Sequence, residues 1–138
     1  MLTIMSFLGL SSIGILNERD TVLQKAALFD TSDNPCVHFT SNMLNIIILP
    51  KDRLVMVSPK LVSKNLGMIA AEETFEIAEC VGKKIRRNRH SAVGVRFGRI
   101  ENWPFTLSKN ILTVMNEQAV CVQHALEEFD GTLDCNSV

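Results

Sequence analysis

Short apolar runs broken by turn residues dominate the first half of the chain, a rhythm that predicts strands rather than long helices. Residues 2–8 and 13–16 are strand candidates joined through Ser11 and Ser12. Residues 21–29 fit a third strand or a short helix by periodicity, and we read them as a strand. Asp30, Ser32, Asp33, Asn34 and Pro35 make residues 30–35 a loop, because short polar side chains bond to nearby backbone and proline presets φ. Extended structure resumes over residues 37–40. Residues 45–49 and 54–57 are apolar runs on either side of Pro50, Lys51, Asp52 and Arg53, which predicts a hairpin. Residues 66–70 are one more short strand or the lead into a helix.

From Glu72 the spacing changes. Phe75, Ala78, Val81, Gly82 and Ile85 recur at three- and four-residue intervals, which predicts a helix with one apolar face, and Phe75, Val81 and Ile85 are expected to pack on the sheet. Glu72, Glu73, Glu76 and Glu79 crowd its first half and Lys83, Lys84, Arg86 and Arg87 its second, matching the helix macrodipole. Val93, Val95 and Phe97 alternate with Gly94, Arg96 and Gly98, so this strand has one apolar face. After a turn at Glu101, Asn102, Trp103 and Pro104, residues 107–128 predict a helix broken near Gln118. The expectation is therefore an α+β fold: a small antiparallel β-sandwich of about six strands with two main helices. It forms a single domain over residues 1–138 that ends in a frayed tail from about residue 131.

Composition narrows the function classes. Hydrophobic residues at 46% and charged residues at 21% of 138 exclude a disordered chain. A net charge of -1 argues against bulk attraction to nucleic acid or an anionic membrane. The basic stretch from Lys83 to Arg99, with Phe97 and Trp103 as stacking rings, leaves nucleic-acid binding as a minor reading, because a solvated helix end explains the same cations. Cys36, Cys80, Cys121 and Cys135 show no CxxC spacing and are expected to be free thiols in a reducing compartment. The apolar start lacks a preceding cation and a cleavage site, so we read it as structure in a cytoplasmic protein, with the nucleus as a second compartment. Cys36 with His38 on a strand face, and Cys121 with His124 on a helix face, supply four zinc donors, yet such isolated residues are ordinarily core. No GxSxG, P-loop, GxGxxG or HExxH motif is present. No catalytic, cofactor-binding or metal residue is assigned, no cofactor is expected, and a non-enzymatic protein is the expectation.

The run IAECVGKKIRRNRHSAVGVRFGRI followed by ENWPFTLSKNILTVMNE resembles the proteasome assembly chaperone 4 family. The matching positions are Ala78, Val81, Gly82 and Ile85 on the helix, Val93, Val95 and Phe97 on the strand, then Leu107 and Asn110, within residues 72–117. NIIILPKDRLVMVSP looks like that family's central hairpin. The resemblance implies a non-enzymatic assembly chaperone that pairs with a sister chaperone in the cytoplasm or nucleus and binds the proteasome α-subunit ring. Arg96, opposite the apolar face of its strand, then Arg99 and Trp103, are the expected partner-binding residues. A profilin- or longin-like regulatory adaptor is the alternative, and a zinc or nucleic-acid module a further one.

Overall fold

The computed structural model describes residues 10–29, 32–64, 69–77, 80–100 and 110–133. Helix α1 (Leu10–Ala27) precedes strands β1 (Val37–Ser41), β2 (Leu44–Leu49), β3 (Leu54–Lys64), β4 (Ile69–Glu76), β5 (Lys84–His90), β6 (Ala92–Arg99) and β7 (Asn110–Met115), and helix α2 (Asn116–Asp130) follows. Five strands form one sheet in the order β1-β2-β3-β6-β7, while β4 and β5 form a second sheet of two strands. Every pairing is antiparallel. The α+β class is as expected, but several elements differ from their sequence reading.

The larger sheet is apolar on both faces because a helix covers each. Ile47 and Leu49 of β2 join Met56, Val93, Val95, Phe97 and Val114 against Ala119, Val122 and Ala125 of α2. Ile46 and Ile48 turn the other way, to Val22 of α1, Val57 and Ile100. A strand buried on both sides reads as a continuous run rather than an alternation, hence NIIIL. The predicted hairpin at residues 45–57 is β2 and β3, closed by a short 3-10 turn Pro50–Asp52 in which Arg53 N–H donates to Pro50 O at 3.1 Å. Gly94 on β6 lies so close to the Ser63 side chain of β3 that a Cβ there would collide with it. The outward glycine face is thus occupied by a neighbouring strand of the same sheet.

Three readings are corrected. Residues 13–16 and 21–29 were expected to be strands, but α1 spans most of them; Val22 is buried with Ala26 and Phe29 packed beside it, a four-then-three spacing that belongs to a helix face. The helix expected from Glu72 to Ile85 is the β4–β5 hairpin. Its ladder sets Glu73 opposite Arg87, Glu76 opposite Lys84 and Phe75 opposite Ile85, so the acid-then-base order that complements a macrodipole serves equally as cross-strand pairing. Val81 lies in the connecting turn and is 93% exposed, not packed on the sheet, while Gly82 takes φ +79° beside it. The first part of the long C-terminal helix is strand β7. The break falls at Asn116, with φ +55° and its N–H donating to Ser91 O at 2.8 Å.

The expected strand at residues 2–8, the start of that at 66–70, the turn of Glu101 to Pro104 with Trp103, and the tail beyond residue 133 lie outside the described residues. Among the described residues, no helix is long and apolar enough to cross a membrane.

Candidate functional site

Strand parity builds one polar seam. Glu73 and Phe75 of β4 share a face with Ile85, Arg87 and Arg89 of β5, whereas Glu72, Thr74, Glu76, Lys84, Arg86 and Asn88 on the alternate positions are exposed. The inner face meets α2, whose apolar stripe is buried in the main core and whose next stripe carries His124, Glu127 and Glu128. Gln123 anchors this helix: its side chain accepts from His90 N–H at 3.1 Å and donates to His90 O at 2.9 Å, across the β5–β6 junction.

A chain of alternating charges runs along the seam. Arg89, whose side chain is only 2% exposed, places Nη1 at 2.8 Å from Glu127 Oε2 and both Nε and Nη2 at 2.9 Å from Glu73 Oε1. Glu73 Oε2 lies 3.2 Å from His124 Nδ1. The other nitrogen of His124, Nε2, is 3.8 Å from Glu128 Oε2, which in turn is 2.5 Å from His38 Nε2 on β1. The Phe75 ring meets the His124 ring edge-to-face at 4.5 Å and fixes its plane.

The two central groups shift each other's proton affinity. Burial pushes Glu73 up, but the hydrogen bond with His124, that imidazole's charge and the Arg89 guanidinium outweigh it and hold the carboxyl below its usual range. The hydrogen bond to Glu73 raises His124; burial opposes this, and the charges of Glu73 and Glu128 add to the rise. His124 is therefore an imidazolium over a wider pH range than a free histidine.

A cavity of about 350 Å³ opens beside His124, lined by Phe75, Glu76 and Ile77 from β4, His124 and Glu128 from α2, and Gly131 and Leu133 beyond it. Its lining is mixed, with His124, Glu128 and Glu76 beside Phe75, Ile77 and Leu133.

The four candidate zinc donors do converge on the β1–α2 contact, in another chemistry. Cys36 and Cys121 are disulfide-bonded, with Cα atoms 5.9 Å apart and 85 residues between them. Cys80 is disulfide-bonded as well, so the free-thiol expectation is corrected. Irregular spacing gave no signal because the cross-link depends on β1 lying against α2. His38 and His124 meet Glu128 instead. Glu73, Arg89 and Glu128 escaped sequence reasoning; the His124-to-Glu128 interval of four was the one visible clue. Of the expected partner-binding residues, Arg96 and Arg99 are exposed on β6, with Arg99 6.0 Å over the Phe97 ring, and neither lines the cavity. Trp103 lies outside the described residues.

No family model matches the chain, and no curated protein is similar to it in sequence. Solved structures are similar in fold. A Plasmodium falciparum peptide deformylase, in complex with an inhibitor, superimposes with a TM-score of 0.58 at 15% identity over 85% of this chain and 71% of the other. The deformylase of Vibrio parahaemolyticus bacteriophage VP16T, in complex with actinonin, gives 0.56 at 16% identity over 82% and 80%. These neighbours overturn the resemblance to a proteasome assembly chaperone, and with it the non-enzymatic role and the sister-chaperone and α-subunit partners; nor do they support the adaptor, zinc-module or nucleic-acid alternatives. The resemblance rested on a helix through Val81, Gly82 and Ile85 that is a turn and a strand, Ala78 lying outside the described residues, and on a helix opening near Asn110 that is β7.

The likeness raises the question of a catalytic metal. Among the described residues, no three His, Cys, Asp or Glu side chains are grouped so that they could hold an ion. An H-E-x-x-H helix places two imidazoles four residues apart with a glutamate after the first. In α2 those five positions read His124, Ala125, Leu126, Glu127, Glu128, with alanine in the glutamate's place and a carboxylate in the second imidazole's. The described residues do not fit a bound metal.

Proposed function

We propose that the chain hydrolyses N-acylated peptides, taking a small acyl group such as formyl from the amino end, with Glu128 as general base and His124 as general acid. The observation that carries this reading is the pairing of the two in the lining of one cavity, in a fold shared with peptide deformylases. The 3.8 Å between His124 Nε2 and Glu128 Oε2 exceeds a hydrogen bond and leaves room for a reacting oxygen to bridge them. His38 contacts that same oxygen of Glu128 and so sets the orientation of the carboxylate beside His124.

The water oxygen attacks the acyl carbon as its proton passes to Glu128. The carbonyl oxygen takes up charge and is stabilised by the N–H of the His124 imidazolium. Collapse breaks the carbon–nitrogen bond as His124 gives its Nε2 proton to the departing amine; Glu128 passes the proton taken from water back to His124, and the carboxylic acid and the free peptide amine leave. Glu73 keeps His124 in the donating orientation throughout. Phe75, Ile77 and Leu133 receive the first side chain of the peptide.

Incubating the purified chain with an N-formyl dipeptide and measuring formate together with new amine tests this. Glu128→Gln and His124→Asn should each lower the rate by about a hundredfold or more while the circular dichroism stays that of the parent. Formate release no faster than in buffer, or a fully active Glu128→Gln variant, overturns the reading.

A further inference from the structure

We propose that this centre is metal-free, and that the imidazolium of His124, fixed by a Glu73 that Arg89 holds in place, supplies the positive charge at the reacting oxygen. The catalytic half of the statement rests on the hydrolase reading above; the metal-free half stands on geometry and charge alone.

Donor atoms that share a tetrahedral ion at about 2.0–2.2 Å lie about 3.3–3.6 Å apart. His38 Nε2 and Glu128 Oε2 are in direct contact at 2.5 Å, closer than two donors of one such ion. Apart from that with His124, both contacts of Glu73 go to a single guanidinium that is almost wholly buried. The thiolates that would complete a soft donor set at the same β1–α2 contact are consumed in the Cys36–Cys121 disulfide.

Charge leads to the same place. The carboxylates of Glu73, Glu127 and Glu128 face the guanidiniums of Arg87 and Arg89 and the imidazolium of His124. Each of the three carboxylates already faces a guanidinium or an imidazole ring, His38 included. A divalent ion would have to compete with those partners or displace Arg89, whose removal strands two carboxylates. His124 lies between Glu73 on β4 and Glu128 on its own helix, with Arg89 on β5 beyond Glu73 and His38 on β1 beyond Glu128. Its two charged neighbours in closest approach, Glu73 and Glu128, are carboxylates, which favour the protonated ring against burial and the more distant Arg89.

Elemental analysis of the full chain as purified, disulfides intact, should give far less than one zinc, iron, nickel or cobalt per molecule. Adding each metal alone, or a chelator, should leave the melting temperature unchanged. In NMR titration the His124 ring should lose its proton above the 6.5 of a free histidine, with or without added zinc, and Glu73→Gln should bring that midpoint back toward 6.5. One tightly held metal per chain that disappears in His124→Gln overturns the proposal, as does a His124 midpoint at or below the free value. Absence of formate release alongside the expected metal and NMR results would remove the hydrolase reading and leave the metal-free centre in place.

Discussion

In the five-stranded sheet, Ile46, Ile47, Ile48 and Leu49 are buried alternately under α1 and α2, and Val93, Val95 and Phe97 continue the inner layer. The β4–β5 hairpin buries Ile85 and otherwise meets α2 through Glu73, Phe75, Arg87 and Arg89. The first region is held by removal of apolar surface from water, which is non-directional and tolerant of detail. The second is held by hydrogen-bonded charges, whose value depends on geometry. That dependence makes the hairpin seam the place for chemistry: a charge that must be satisfied by one partner at one distance also has a set orientation and a set proton affinity.

The comparison breaks most visibly in the core. Phe97→Ala should cost about 3–5 kcal/mol of folding stability, read by chemical denaturation, since it opens a cavity in the layer between β6 and α2. Replacing Cys36 and Cys121 together by Ser should cost about 2–4 kcal/mol, because an 85-residue separation is a long loop to leave unclosed in the unfolded chain. The loss should fall on the β1–α2 contact, with His38 and His124 shifting together in NMR spectra. A double serine variant as stable as the parent would mean that apolar packing alone joins β1 to α2.

The seam answers to pH, and the core does not. The raised proton affinity of His124 stabilises the fold fully below its unfolded value near 6.5 and is lost as pH rises through its higher folded value. The lowered affinity of Glu73 stabilises above its unfolded value near 4.5 and is lost as pH falls through its lower folded value. The melting-temperature difference between parent and Glu73→Gln should therefore be largest between pH 4.5 and 6.5 and shrink on either side, whereas the difference for Phe97→Ala should follow no such window. The smallest effect belongs to Val81→Asp. At a turn position 93% exposed it should move stability by less than about 0.5 kcal/mol.

Legibility followed the same division. The β2–β3 hairpin and the inward face of β6 were readable because the burial of a residue there is decided by its own apolarity and its parity along the strand. Residues 72–85 were misread as a helix because acids followed by bases, with apolar residues three or four apart, satisfy a macrodipole and a cross-strand ladder alike. Gly82, which allows the turn, was counted as part of a helix face. α1 was missed because Val22, Ala26 and Phe29 are too few to separate a helical period from a strand.

By itself, the sequence determined the α+β class, the paired strands at residues 45–49 and 54–57 and the apolar face of Val93, Val95 and Phe97, since hydrophobic burial is written into each residue and its near neighbours. The tertiary structure alone decided that Cys36 reaches Cys121 across 85 residues, that Glu73 reaches His124 across 51, and that His38 reaches Glu128 across 90. Such contacts require two elements to be docked at one distance and angle, and that docking is set by the packing of β1, β4 and β5 around α2, not by any pattern within a segment.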